Sequence, residues 1–499
     1  MAVIMFFDAF QKVFGQLHGI DRVIGYTCAK LKGGHFVPTM FHADPFQKCV
    51  GCVPAGLCRV SWEALIFLIL CDLAGSSCLL LDHDTTERRT EVGPAKSDTS
   101  ADLLIVGGGL VGLSLALSVA RAGLRVLVID RDTPQNSASP LFDGRVSSVA
   151  AGSVNMFKAL DVWPKVSDGA QPIYQIRVSD RDAPRFLQYD SGDLDGAPMG
   201  YIVENRLLRQ ALHAAVKAEQ RIIWRTATSL ELLDRCSYRV TALLSDGTSV
   251  DAPLVVAADG RGSIVRANAG INVISKEYRQ TGIVCTVAHE LSHKGIAHER
   301  FLRGGPFAIL PMKGRKSSLV WTEKTELAVE LVKLDRQVFL DELSWRFGNF
   351  LGDLRLESPV WSYPLRLTMA RSLKANRIAL VGDAAHAIHP IAGQGLNLGL
   401  RDAAVLAEVL SDALSLGLDI GDQETLARYS RWRQFDGLTM VAVTDGLNRL
   451  FSYDSALLQG ARDIGLTAVN RSVILKSLFQ RHAMGLLGKL PKLFEGNQL

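Results

Sequence analysis

Three glycines set between two buried strands constrain this chain more than any other feature. Asp102-Leu-Leu-Ile-Val106 is an apolar run of strand length, and Gly107-x-Gly109-x-x-Gly112 follows it. Leu110 to Ala122 is apolar nearly all round, and Arg125-Val-Leu-Val-Ile-Asp130 is a second apolar run closed by an acid. A helix that is apolar on every side must pack on a sheet, and short apolar runs bounded by turns read as strands covered on both faces. The order predicts a βαβ unit. A diphosphate brings negative charge against the backbone, so the loop that holds it must avoid side chains and present N–H groups at a helix N-terminus. Gly107 permits the tight turn, Gly109 lets a diphosphate approach, and Gly112 lets the helix lie close on the strand. Asp130, at the end of the second strand, is placed to accept hydrogen bonds from ribose hydroxyls. The unit is therefore expected to bind a dinucleotide.

That loop alone does not choose between FAD and NAD, and a distant segment makes the choice. Arg377-Ile-Ala-Leu-Val-Gly382-Asp383 sets an acid just after a buried strand, where Asp383 can bond the hydroxyls of a ribityl chain. Pro390-Ile-Ala-Gly393-Gln-Gly395-Leu396-Asn397 then leads glycines into a helix from about Leu396 to Leu410, whose N-terminal dipole can stabilise negative charge at a flavin N1 and O2 locus. FAD is the cofactor these residues imply. A helix cap is the plain alternative for Asp383. His386 and His389 are acid or base candidates beside the flavin, and backbone hydrogen bonding is the commoner use of such loop histidines. There is no convincing triad or paired-carboxylate site, so the catalytic residues stay unassigned.

Elsewhere, Val240 to Leu244 and the stretch to Val250 flank an Asp246-Gly247 turn and read as a hairpin. Leu254 to Ala258 reads as another buried strand, and about 271 to 364 as a β-rich stretch forming a separate sheet. With 499 residues the chain exceeds the usual single domain, while 48% apolar and 21% charged residues and a net charge of +4 are ordinary. The charges are mixed in sign, so no nucleic-acid partner is expected. Six of the eight cysteines precede residue 100, which leaves the body free of a disulfide framework and favours a reducing, cytoplasmic setting. Cys49-x-x-Cys52 and Cys58 lack a second pair at zinc spacing, and no metal is expected. No targeting signal is readable. The longest apolar run, Ala64 to Cys71, falls far short of the roughly 20 residues of a membrane span. A polar stretch from Asp82 to Ser100 reads as a linker, which makes residues 1–100 an extension of unknown role.

Three motifs together resemble the aromatic-ring hydroxylase group of FAD monooxygenases, with para-hydroxybenzoate hydroxylase as prototype, and within it the ubiquinone-biosynthesis hydroxylases. They are the Gly107 loop, Ala258-Asp259-Gly260-Arg-Gly-Ser263 ending at Arg266, and Gly382-Asp383 with its Pro390 to Asn397 continuation. Further likeness lies in Phe142-Asp-Gly-Arg145, Glu204-Asn-Arg206-Leu-Leu, Gly305-Pro-Phe-Ala-Ile-Leu-Pro311 and Thr444-Asp-Gly-Leu-Asn-Arg449-Leu-Phe. It spans nearly all of residues 101 to 499. The resemblance implies an α/β fold, an FAD-binding Rossmann-like domain interleaved with a β-sheet substrate domain, plus C-terminal helices. The FAD-binding parts are expected at 101–170, 205–270 and 365–440, the substrate parts at 171–204 and 271–364, and the helical region at 441–499. It places Arg145 along the cofactor and Arg206 near the adenine side, counts Arg131 among the cofactor contacts, and gives Asp259 a part in coupling flavin to reduced nicotinamide. Surface ion pairs for the arginines and a turn-forming Asp-Gly are the plain alternatives.

The implied reaction is hydroxylation of an electron-rich phenolic ring through a flavin C4a-hydroperoxide in a site kept dry. A polyprenylated phenol and dioxygen are the expected substrates, with electrons from NAD(P)H or a separate electron-transfer protein. The segment near Phe307 to Pro311 is expected on the substrate side. Val473 to Phe494 mixes apolar and basic residues, which suits either an anionic surface, hence peripheral contact with the inner membrane, or a helix packed on the body. Association with other ubiquinone-biosynthesis proteins fits the same picture. A dehydrogenase or prenyl reductase of the same fold, and a flavin-bearing accessory subunit, are the rival readings.

Overall fold

The computed structural model describes residues 99–133, 145–180, 186–193, 195–389, 393–434 and 472–499. The N-terminal extension with its cysteines, Pro390, Phe142 to Gly144 and the Thr444 to Phe451 segment lie outside the described residues. The chain divides into two units, Phe6–Ala95 and the remainder, and every described residue belongs to the remainder.

A six-stranded sheet is built around the βαβ unit, in the order Lys374–Ala375, Ile378–Leu380, Val255–Ala257, Leu103–Val106, Val126–Ile129, Ile222–Arg225. All neighbours are parallel except the first pair. Leu103–Val106 and Val126–Ile129 are buried at every position, as a parallel sheet covered on both faces requires. The helix Leu110–Arg121 crosses between them and buries Gly112 to Ala120 without a break. It packs against the helices Asn205–Ala218 and Gly395–Ser415. The latter runs five residues beyond the end expected at Leu410, because Val409, Leu410 and Ala413 continue its buried face.

The expected hairpin forms, with Thr241 opposite Asp251, and gains Leu230–Arg235 and Thr99–Ser100 as further strands. A second, nine-stranded sheet is assembled from distant pieces, in the order His386–Ala387, Trp361–Ala370, Val273–His289, Lys316–Lys324, Pro306–Met312, Ile296–Phe301, Gln175–Asp180, Phe186–Asp190, with Leu354–Leu356 added on Val273–His289. Trp361–Ala370 runs through the boundary drawn at 364. One face of this sheet buries Ile283, Cys285, Phe307, Ile309, Leu319 and Trp321 against the helices Thr325–Lys333 and Arg336–Phe347. The opposite face carries Ala297, Leu310 and Met312, which pack with Met199 and with Ile173 and Ile202 of a small three-stranded sheet, Val146–Ala150, Gly200–Glu204 and Gln171–Ile173.

The C-terminal residues fold back on the body. Met484, Leu493 and Phe494 are buried, Lys492 N–H donates to Glu408 at 2.7 Å, and Asn155 Nδ2 donates to the Phe494 carbonyl at 3.0 Å. Of the two readings left open for this stretch, packing claims these three apolar residues. Among the described residues no helix is long and apolar enough to cross a membrane.

Candidate cofactor and active site

The three motifs leave three neighbouring parallel strands at the same edge. Ala257 stands in register with Val106 on one side and with Leu380 on the other, so Gly107, Ala258 and Val381 emerge side by side. Backbone bonds fasten that edge: Gly107 N–H to Ile129, Ala258 N–H to Val106 and Val381 N–H to Ala257, at 2.8 to 2.9 Å. The carboxyl end of a parallel sheet is where such folds hold their ligands.

Steric limits explain the glycines. Gly107 has φ +108°, and a Cβ there would sit 2.3 Å from the Ala258 carbonyl oxygen. A Cβ on Gly112 would strike the Gly107 oxygen at 2.0 Å. Gly109 differs, because nothing lies within 4 Å of where its Cβ would be. It precedes the first turn of Leu110–Arg121, which has no side-chain cap and no acid. Space and unsatisfied N–H groups thus coincide where a diphosphate would lie. Gly395 also faces open space, as the first residue of a helix whose first turn carries neither side-chain cap nor acid.

Asp130 accepts hydrogen bonds from Gly108 N–H at 2.8 Å and Asp132 N–H at 2.9 Å. Burial pushes its carboxyl upward against these two bonds. A Cβ on Gly108 would meet Asp130 Oδ2 at 2.7 Å and Trp224 Nε1 at 2.9 Å, so the middle glycine of the run is also required. Trp224 Nε1 is buried without a hydrogen-bond partner.

Asp383 has solvent access and yet is desolvated by its surroundings. Burial raises its pKa, with Arg261 and His386 opposing. Asp383 lies within the turn Gly382–Ala384, whose N-cap position is Val381. Gly382 itself takes φ +62°, and its N–H donates to Asp402 at 3.0 Å.

The residues present fit a flavin dinucleotide, and the comparisons with known proteins agree. Residues 100–441 match the FAD binding domain family. The chain is 49% identical over 391 residues to ubiquinone hydroxylase UbiL of Rhodospirillum rubrum, covering 78% of this chain and 91% of that one. It is 34% identical over 387 residues to the 3-demethoxyubiquinol 3-hydroxylase of Escherichia coli, covering 77% and 98%. The chain belongs to the FAD-dependent hydroxylases of ubiquinone biosynthesis. Among solved structures, p-nitrophenol 4-monooxygenase PnpA from Pseudomonas putida superposes with a TM-score of 0.65 at 19% identity, over 78% of this chain and 99% of that one, a likeness of fold. FAD is the cofactor of this hydroxylase, and monooxygenation its reaction class.

Within the hydroxylase fold the other expected residues divide. Asn397 is wholly engaged in structure: its Oδ1 accepts from Ala150 N–H and Ser153 Oγ, both at 2.9 Å, and its Nδ2 donates to the Ser148 carbonyl. It pins the Gly393 to Leu396 turn to the small sheet. Gly393, at φ +62°, closes the same contact, since a Cβ there would meet Ser148 at 3.0 Å. Asp259 Oδ2 accepts from Ile264 N–H at 2.7 Å, in the first turn of the helix Ile264–Asn268, whose cap is Ser263. Arg206 pairs with Glu204 at 2.6 Å, its plain alternative. Arg131 and Arg145 are exposed, and the Arg145 carbonyl accepts from Asn205 N–H at 3.0 Å.

Sequence reasoning missed the support beneath this edge. Asp402, fully buried, accepts from Arg433 Nε at 2.6 Å and lies 2.9 Å from His386 Nε2. Burial pushes its carboxyl up, but His386 and Arg433 outweigh that and hold it low. His386 is thereby tied to a structural ion pair, and His389 stands edge-on to Tyr278 at 5.0 Å. Arg266 donates to the Ala384 carbonyl at 2.8 Å and to the Arg261 carbonyl at 2.8 Å, bracing the second motif against the third. Helical periodicity alone marks Asp402 as odd, an acid inside an apolar stripe.

Proposed function

We propose that this chain hydroxylates the ring of a polyprenylated phenol in ubiquinone biosynthesis. The observation that carries the reading is the meeting of Gly107, Asp259 and Asp383 on three hydrogen-bonded strands, in a chain 49% identical to a ubiquinone hydroxylase. In this reading the Gly107 to Gly112 loop holds the diphosphate, Asp130 and the neighbouring Arg131 the adenosine ribose, and Asp383 the ribityl hydroxyls. The N-terminus of Gly395–Ser415 faces the flavin pyrimidine, with Gly393 and Asn397 fixing its approach and Pro390 and Leu396 lining it. Arg145 lies along the cofactor. Arg206 serves the adenine side through the helix it begins, and Asp259 serves by holding its turn rather than by touching nicotinamide.

Bound flavin, once reduced by NAD(P)H or by an electron-transfer protein, supplies the activation of dioxygen. The protein's part is to orient the ring and to exclude water. The face of the nine-stranded sheet opposite its helices is the apolar wall suited to that task. Ala297, Ala308 and Leu310 line it, and it meets the small sheet that Asn397 pins. Dioxygen and a prenylated phenol are the substrates in this account. Peripheral contact with a membrane is the route by which such a phenol would arrive.

The test is to purify the chain, look for flavin absorbance, and follow reductant oxidation and oxygen uptake with and without a prenylphenol. Uptake that rises with the phenol and yields a catechol supports the reading. A protein that binds no FAD under saturating cofactor removes it.

A further inference from the structure

The strand Ile296–Phe301 alternates its side chains across the nine-stranded sheet. His298 lies against Phe350, ring centroids 4.8 Å apart, and Arg300 donates to the Arg346 and Phe347 carbonyls, so both point to the helix-covered face. Ala297 packs on the other face with Met199 and Ile202. Glu299 must share that second face. Its cross-strand neighbours are Val178 and Ala308, and Val320 follows one strand further. A carboxyl set among apolar residues needs a partner or must stay neutral.

The same face carries three further polar groups in search of a partner. Thr286, Ser318 and Thr322 are each at most 2% exposed, and the hydroxyl of each is buried without a hydrogen bond. Ser318 stands opposite Leu310 and Thr286, and Thr322 opposite Gly282. Unpaired hydroxyls in native interiors call for a ligand or water. The titratable groups sharing the face are Asp180 on the adjoining strand, Tyr189 on the strand beyond, and Lys316, Lys324 and Tyr363 in register with Met312, Gln280 and Gly282. Lys316 is paired with Glu357 at 3.0 Å. On the small sheet packed against it, Glu204 is neutralised by Arg206. Glu299 keeps partial solvent access, and desolvation by the groups packed round it pushes its carboxyl up to about 8.

We propose that Glu299 receives the ring hydroxyl of the phenol, accepting its proton as the ring gains oxygen and returning it when the ring becomes aromatic again. This rests on the hydroxylase reading above. As a ring carbon uses its π pair to bond one oxygen atom of the reduced dioxygen, the O–O bond breaks and the other oxygen leaves with that bonding pair to end as water. The phenol O–H breaks, its proton passes to the Glu299 carboxylate, and the freed electron pair becomes a ring C=O. The tetrahedral carbon then loses its proton to solvent, and the ring oxygen takes a proton back from Glu299. Oxygen and electrons come from the dioxygen and reductant of the hydroxylation itself. A group titrating near the working pH suits a proton that must be taken and returned.

Binding to the FAD-loaded protein tests this without turnover, with flavin absorbance as the signal and ortho-prenylphenol and its O-methyl ether as probes. A protonated Glu299 can donate to either oxygen, whereas the carboxylate can only accept, which the phenol permits and the ether does not. Wild type should therefore favour the phenol by about tenfold or more near pH 9, a preference that shrinks near pH 6. Glu299→Gln should show a pH-independent ratio near unity, since an amide both donates and accepts. A wild-type ratio that does not change with pH overturns the proposal even if the variant fails to fold. So does a Glu299→Gln protein that keeps the wild-type pH dependence. Failure to load FAD would instead remove the hydroxylase reading, so the two failures are distinguishable.

Discussion

Gly109 separates cofactor binding from folding more cleanly than its neighbours do. Its backbone, at φ −73° and ψ −176°, suits any residue, and its Cβ position is empty, so Gly109→Asp should fold. An acid at that N-cap stabilises the helix by a few tenths to about 1 kcal/mol, while its charge opposes a diphosphate. We expect apoprotein of equal or higher melting temperature with FAD affinity lowered at least about a hundredfold, roughly 3 kcal/mol, measured by cofactor titration. Unchanged affinity would exclude the diphosphate from this loop. Asp402→Asn strands a buried Arg433 and should cost about 3–5 kcal/mol in denaturant unfolding. The Asp402 carboxyl is held below its ordinary value of 3.8, so its contribution is present above that pH and is lost as pH falls through the lower, folded value. Wild type should therefore lose stability in acid more steeply than Asp402→Asn. Glu299 has the opposite sign. Its raised pKa means stability is full below the ordinary 4.5 and falls as pH rises to about 8, by at most about 1.4 kcal/mol per pH unit. Glu299→Gln should flatten that slope in melting curves across the range, and a variant with the wild-type slope would show that another group titrates.

At the scale of elements, Arg266 joins two motifs that sequence separates by more than a hundred residues. A lysine cannot span the Ala384 and Arg261 carbonyls together, so Arg266→Lys should weaken FAD binding as well as lower the melting temperature. Loss of stability with FAD affinity intact would confine the brace to folding. The βαβ unit was legible because its residues are contiguous and each obeys one local rule: burial on both faces, glycine at the turn, an acid at the strand end. The helix after Gly395 and the Val240 hairpin were legible for the same reason. The nine-stranded sheet was legible only as β-rich sequence, since Gln175–Asp180 pairs with Ile296–Phe301 across more than a hundred residues and nothing local encodes that register. The helices Thr325–Lys333 and Arg336–Phe347, inside a stretch read as strands and turns, were missed. Asp259 and Arg206 show the limit for sites. Their residue types were legible, but their partners, a helix N-terminus and Glu204, depended on the fold.

For the whole molecule, the match to the FAD binding domain family begins at residue 100, and Thr99–Ser100 already pairs with Ser249–Ala252. A chain lacking residues 1–95 should therefore fold and bind FAD with unchanged affinity, checked by flavin absorbance after gel filtration. Loss of the cofactor on truncation would give the extension a structural role. The two sheets are interleaved: His386–Ala387 joins the nine-stranded sheet three residues after Asp383, so in the proposed reading the cofactor and substrate sides are joined by one short stretch of backbone. What decides the central claim is the origin of the new oxygen atom. Incubating FAD-loaded protein with reductant, a prenylphenol and isotopically labelled dioxygen, followed by mass spectrometry of the product, should give a catechol carrying one labelled oxygen. A flavin-loaded protein that consumes reductant yet yields a product without the label would contradict hydroxylation and favour a reductase of the same fold.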